Sequence, residues 1–284
     1  MIDQSIIHNI ESTQNSLIKQ IKVLQTPGVK SAKLRSETGL ALIEGIHLVQ
    51  AWISSESLTN IQTVIFSEQS INNEEIKEIV DYISSLNASS KGARINLVQV
   101  GSNLANELSQ LEESPFLLGI IKTPLKQSLT ECLENVVILD GIQDSGNAGT
   151  ILRTAAAAGY KNVVCLKGSA QVWSPKVLRA AMGAHTALTI WDSVDVDELL
   201  ITIKIPLIAA RLDDSANLYE ISELLRQPHA WVFGNEGAGV DAELLAIAKG
   251  VIVPQDPCVE SLNVSAATAI CLFEMRRVRR ESQD

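Results

Sequence analysis

Along the chain, short continuous apolar runs alternate with stretches in which apolar residues recur every three or four positions. In "QNSLIKQIKVLQ" the spacing of Leu17, Ile21 and Leu24 predicts a helix. "LALIEGIHLVQAWI" predicts a strand passing into a helix, and "IQTVIFS" and "INLVQV" predict compact strands. "NNEEIKEIVDYISSL" puts Ile76, Ile79, Val80 and Ile83 on one helical face behind an acidic first turn. The first 110 or so residues therefore predict a small α/β unit.

After the Pro-bounded polar stretch "KTPLKQSLTECLEN" the alternation resumes. A boundary is expected within 122–133, giving domains over 1–122 and 123–284. "VVIL", "NVVCLK", "IKIPLIAAR", "HAWVFG" and "GVIVPQ" predict strands. "GTILRTAAAAG", "PKVLRAAMGAH", "DAELLAIAK" and "NVSAATAICLFEMRRVRR" predict the helices between and after them. Strands that are apolar throughout are buried on both faces, as in a parallel sheet with helices on each side. The fold class expected is α/β.

Composition adds limits. At 284 residues the chain suits two domains, and no apolar run approaches the ~18 residues of a membrane span. The N-terminus lacks a basic start followed by an apolar core, so a cytoplasmic, non-membrane protein is expected. Cys132, Cys165, Cys258 and Cys271 fit no zinc spacing, and they read as buried, reduced thiols with no metal. His185 and His229 stand alone and read as structural. The net charge of -10 argues mildly against a nucleic-acid partner. Positive charge gathers in Lys19, Lys22, Lys30, Lys33 and Arg35, and again in Arg276, Arg277, Arg279 and Arg280. Either group reads as a phosphate contact or as solvated surface.

Three turns stand out, all expected at the carboxyl ends of strands, where open α/β sheets bind ligands. "DGIQDSGNAGTILRTAAAAGY" departs from G-x-G-x-x-G, and Asn147 and Ala148 stand where a phosphate loop needs Lys and Ser or Thr. It leaves an amide at Asn147, which reads also as a helix cap, and Arg153, expected within the first turn or so of the next helix. "VFGNEGAGV" surrounds one acid, Glu236, with Gly234, Gly237 and Gly239. "VPQDPCVESLNVS" brings Ser261, Leu262, Asn263 and Ser265 to the start of the last helix, as capping groups or as ligand contacts. No nucleophile–base pair and no G-x-S-x-G elbow occurs. The combined set is one of positioning groups plus one guanidinium. The glycine spacing disfavours a nicotinamide dehydrogenase.

"NAGTILRTAAAAG", "FGNEGAGV" and "VPQDPCVESLNVSAATAICLFE" resemble motifs 1, 2 and 3 of the SpoU (TrmH-type) RNA 2'-O-ribose methyltransferases of the SPOUT superfamily. The upstream "LALIEGIHLVQAW" resembles that family's L30e-like substrate-binding domain. The resemblance implies a SPOUT-type parallel sheet with a C-terminal deep trefoil knot, a homodimer, and S-adenosyl-L-methionine as methyl donor. It implies methylation of a ribose 2'-hydroxyl in ribosomal RNA. Transfer RNA is the alternative substrate, and a catalytically silent RNA-binding or ribosome assembly factor the alternative function. The family's catalytic positions fall on Asn147, Arg153, Glu236, Ser261 and Asn263. Its cofactor contacts fall on Gly234, Val253 and Leu262. Glu236 is expected to hold both Asn147 and Arg153.

Overall fold

The computed structural model describes residues 7–89, 94–124, 128–129, 134–212 and 215–281. The chain divides into two compact units, Met1–Leu125 with Trp173–Thr186, and Lys126–Val172 with Ala187–Asp284. Much of the stretch expected to hold the boundary, 122–133, lies outside the described residues, as does Cys132. Residues 173–186 group with the first unit, a departure from the expected division at 122.

The first unit runs β1 (Ile7–Ile10), α1 (Ser16–Gln25), α2 (Val29–Thr38), β2 (Leu40–Glu44), α3 (Ile46–Ile53), β3 (Ile61–Ser67), α4 (Glu74–Ser89), β4 (Asn96–Val100), α5 (Ser102–Leu108) and β5 (Leu117–Lys122). Its sheet has the order β1-β4-β3-β5-β2, with β5 antiparallel to both neighbours. Successive residues of a strand face opposite ways. Ala41 and Ile43 thus enter one core layer with Phe66 and Trp52, and Leu40 and Leu42 enter the other with Ile65 and Ile21. Asn15 caps α1 by accepting the Leu17 N–H at 2.8 Å. Helix α2 was silent in the hydrophobic pattern because its buried residues are Ser31 and Arg35.

The rest of the chain supplies β6 (Val136–Asp140), α6 (Ser145–Ala158), β7 (Asn162–Leu166), α7 (Pro175–Ala181), β8 (Thr189–Val194), α8 (Val196–Thr202), β9 (Leu207–Ala210), β10 (Ala216–Asn217), α9 (Ser222–Arg226), β11 (Ala230–Gly234), α10 (Ala242–Ile247), β12 (Lys249–Ile252) and α11 (Val264–Arg280). Helix α7 belongs to the first unit, where Leu178 joins the core of Ala41, Ile43 and Trp52. The second unit's sheet has the order β10-β12-β9-β11-β6-β7-β8, and every pairing in it is parallel. The chain is thus α/β with a buried parallel sheet. Val136, Ile138, Val164, Ala209 and Val232 form its apolar core on one face.

This strand order brings β6, β9, β11 and β12 side by side, although they are far apart in sequence. Gly234 pairs with Asp140, and Ala210 with Val251. The carboxyl ends of these strands therefore share one edge. No helix among the described residues is long and apolar enough to cross a membrane.

Candidate functional site

At that edge β6 ends in Asp140 and turns through Gly141, whose φ of 67° lies in the left-handed region. The Gly141 N–H donates to Ser169 Oγ at 3.0 Å, and that hydroxyl donates to the Leu139 carbonyl at 3.0 Å. Asn235, just past β11, locks the same turn: its Nδ2 donates to the Gly141 carbonyl at 2.8 Å. Its Oδ1 accepts the N–H groups of Gly237 and Ala238 at 2.8 and 3.0 Å. Asn235 and Gly239 exchange two backbone hydrogen bonds of 2.9 Å, closing the 235–239 loop on itself. A Cβ on Gly234 would lie 2.4 Å from the Gly239 carbonyl carbon, so only glycine fits there. Asp140 Oδ2 accepts the Asp241 N–H at 2.6 Å. Burial raises the Asp140 carboxyl above the ordinary carboxylate range, against the lowering effect of that bond.

The side chains of three turns then join. Asp144, not Asn147, caps α6, accepting the Asn147 backbone N–H at 2.7 Å. This leaves the Asn147 side chain for other partners. Its Nδ2 donates to Glu236 Oε1 at 2.6 Å, and its Oδ1 accepts from Asn263 Nδ2 at 3.1 Å. Asn263 is itself the cap of α11, accepting from the Ser265 N–H at 2.9 Å and Oγ at 2.6 Å. Glu236, Asn147, Asn263 and Ser265 thus form one hydrogen-bonded chain.

Beside it lies a cavity of about 690 Å³. Gly234, Glu236, Val253, Ser261, Leu262 and Asn263 all line it. So do Arg211 and Leu212, past the end of β9. The sequence had not singled out those two, because nothing in it says that β9 lies between β11 and β12. Asn235 was missed too; an amide between two glycine-rich half-turns was its only signal.

Arg153 stands apart. It occupies the third turn of α6, where it is exposed and has no hydrogen bond or ion pair among the described residues. It lies six positions beyond Asn147, about 9 Å along the axis and on another face. Both expectations about its place are corrected: it lies beyond the first turn, and Glu236 holds Asn147 without it.

The basic tail is largely committed inside the fold. Arg276 donates to the Ala157 carbonyl at 2.6 Å. Arg277 grips Glu274 with two bonds, of 2.7 and 2.8 Å, and Glu281 with one of 2.6 Å. Arg279 donates to the carbonyls of Leu225 and Gln227 and to Asn135 Oδ1. Of the four, Arg280 alone has no such bond among the described residues. In the first unit Lys22 pairs with Glu107, Lys33 with Glu37, and Arg35 is buried.

His229 is buried, and its ring is assigned by its partners. Nδ1 donates to the Gln227 carbonyl at 2.8 Å, so Nε2 accepts the Tyr160 hydroxyl at 2.8 Å. Burial pushes its pKa down to about 4. His185 is buried with its ring 5.0 Å from that of Trp173. Cys165 and Cys271 are buried as expected, whereas Cys258 is exposed on a loop the core does not cover.

A parallel sheet with a glycine-edged cavity at its strand ends, flanked by fixed amides and a carboxylate, defines a ligand-binding α/β protein. The model of the SpoU rRNA methylase family matches residues 134–273. The chain is 30% identical to the 23S rRNA (guanosine(2553)-2'-O)-methyltransferase RlmP of Bacillus subtilis, over 94% of this chain and 98% of that one. It is 31% identical to an uncharacterized tRNA/rRNA methyltransferase of Synechocystis, over 96% and 95% of the two chains. A solved RNA 2'-O ribose methyltransferase is 26% identical with a TM-score of 0.71, over 96% of this chain and 99% of that one. An AdoMet-bound rRNA methyltransferase from Sinorhizobium meliloti shares the fold, at 24% identity and a TM-score of 0.76, over 95% and 98% of the two chains. The chain belongs to the SpoU rRNA methylase family and is an RNA methyltransferase of that family.

Proposed function

We propose that this chain transfers a methyl group from S-adenosyl-L-methionine to a ribose 2'-hydroxyl of ribosomal RNA. The observation that carries the reading is the chain Glu236–Asn147–Asn263 beside the 690 Å³ cavity. The name of the Bacillus subtilis relative, matched over nearly its whole length, supports both the 2'-O position and the ribosomal substrate.

The residues present fit the methyl donor. The cavity falls within the ~300–1,000 Å³ of ligand sites. Its Val253 and Leu262 suit an apolar ring, and the Ser261 hydroxyl carries no hydrogen bond among the described residues. Gly234 keeps the 235–239 loop tight beneath them. When bound, the donor supplies a methyl carbon already activated by a sulfonium, so the protein needs no covalent chemistry of its own.

The chain's task is positioning and charge. Asn147, fixed from both sides by Glu236 and Asn263, orients the ribose; alignment of this kind is worth up to ~7–11 kcal/mol. Ser261 and Asn263 present short polar groups at the cavity wall. Arg153 presents a planar guanidinium fork whose geometry matches a phosphate. Because it lies away from its own chain's cavity, it grips the RNA phosphate and stabilises negative charge developing on the ribose O2' across the dimer face, while the hydroxyl proton leaves to water.

The reading includes a homodimer acting in the cytoplasm. Exposed Arg153 on α6 and exposed Phe273 on α11, two helices packed together, supply a face for a second copy. It also includes a trefoil knot at the C-terminal end of the second unit and an L30e-like role in binding RNA for the first. Family membership supports these readings, and the mixed five-stranded sheet supports the last.

Mapping ribose methylation in total RNA with and without this chain tests the function. One ribosomal position should lose its methyl group. An unchanged map, in ribosomal and transfer RNA alike, sinks the proposal.

A further inference from the structure

The first unit holds a second cavity, of about 730 Å³, which the methyl-transfer reading does not use. It lies where the parallel neighbours β3 and β4 end, the edge at which such strands receive ligands. Its floor carries a reciprocal pair of bonds: Ser67 N–H donates to Ser70 Oγ at 2.8 Å, and Ser70 N–H to Ser67 Oγ at 2.9 Å. The side chains of Gln69, Ser102, Asn106 and Ser114 line it, and none makes a hydrogen bond among the described residues. Glu112 and Glu113 line it as well, whereas no Lys or Arg does.

This composition selects a ligand. Carboxylates without a cation repel phosphate and other anions. Amides, hydroxyls and carboxylates that are open to solvent and have no partner among the described residues suit a neutral, planar group whose edge carries both donors and acceptors. A nucleobase has that edge, and asparagine and glutamine amides pair with it through two atoms at once. Cations flank the cavity instead of lining it. Gln110, another wall residue, accepts from Arg179 at 3.2 Å and donates to the Gln25 carbonyl at the end of α1 at 3.4 Å. On α1, Lys22 pairs with Glu107 of α5, and Lys19, one turn earlier, is exposed and unpaired among the described residues.

We propose that this cavity receives one unstacked, amino-bearing base of the RNA (adenine, cytosine or guanine), with Lys19, Lys22 and Arg179 meeting the phosphates on either side. Uracil has no exocyclic amino group to give to Glu112 or Glu113. The inference rests on the RNA reading above and adds a second, base-selective contact distant in sequence from the methyl-transfer residues.

The test measures binding of the full-length protein to single-stranded homopolymers of adenylate, cytidylate and uridylate. Ultraviolet cross-links are mapped by mass spectrometry alongside. Wild type should bind adenylate and cytidylate about tenfold tighter than uridylate, the low end of what one well-paired base contributes. Cross-links should fall within 67–73 and 102–116. The pair Glu112→Ala and Glu113→Ala should remove the preference, and Gln69→Ala with Asn106→Ala should remove the cross-links. S-adenosylmethionine binding by calorimetry should stay unchanged in both variants. Equal binding of all three polymers, or a preference that survives both variants, overturns the base site and leaves RNA methylation standing. Failure of wild type to bind any RNA overturns both. A peptide or protein ligand that occupies the cavity and excludes RNA overturns the base site alone.

Discussion

Asn263 donates through Nδ2 to Asn147 Oδ1 at 3.1 Å, across 116 residues of chain. Asn147 in turn donates to Glu236 Oε1 at 2.6 Å. An amide is needed in the middle because it must accept on one side and donate on the other. Asn147→Asp removes the donor and sets two carboxylates against each other. Turnover should fall on the order of a hundredfold, the scale of one lost orienting contact. Asn147 does not line the cavity, so S-adenosylmethionine affinity by calorimetry should be unchanged. Parallel losses in both would count against an orienting role.

Gly234 tests the loop behind the cavity. Gly234→Ala would put a methyl group 2.4 Å from the Gly239 carbonyl carbon, and the obstacle is backbone, which cannot swing aside. Chemical denaturation should show a loss of about 1–3 kcal/mol, the usual cost of overpacking. Methyl-donor binding should weaken with it. A variant as stable as wild type, with full affinity, would contradict the close packing.

Arg153 is exposed and without a partner in its own chain among the described residues. Arg153→Lys should therefore leave stability within about 0.5 kcal/mol of wild type. RNA binding should persist in part, since a charge remains, while most turnover is lost with the planar fork. Wild-type-like turnover in this variant would remove Arg153 from the mechanism.

His229 gives the fold a pH dependence. Its ordinary pKa of 6.5 is pushed down to about 4 by burial, and the Arg279 charge adds to the effect. Above pH 6.5 the ring is neutral in both folded and unfolded chains, and its full contribution is present. Below 6.5 the unfolded chain takes up a proton that the folded one refuses, so stability falls until pH reaches about 4. Between pH 6.5 and 5 the loss should approach about 2 kcal/mol, at 1.36 kcal/mol per pH unit. His229→Gln should flatten this part of the curve. A variant with the wild-type slope would place the dependence elsewhere.

Much of this was legible in the sequence. Continuous apolar runs such as "VVIL" and "NVVCLK" marked strands buried on both faces, because burial requires hydrophobicity whatever the partner. The three turns were legible because their amides, glycines and lone acid serve no core. Elements such as β10, with two residues, and α2, which buries Ser31 and Arg35, left no periodic trace. The basic tail showed charge but not commitment: Arg276 and Arg279 are occupied by carbonyls of other elements.

Asn147 shows where sequence stops. Local composition made it a cap or a ligand contact with equal ease. The fold decided, because Asp144 takes the cap and the strand order sets β11 beside β6. The sequence by itself determined which segments are strands, which turns carry polar groups and the family to which they belong. Only the tertiary structure determined that Glu236, Asn147 and Asn263 form one chain, that Arg211 and Leu212 complete the cavity, and that Arg153 stands outside it. Periodicity is a property of neighbours along the chain, whereas the order of strands in a sheet is set by packing between segments a hundred residues apart.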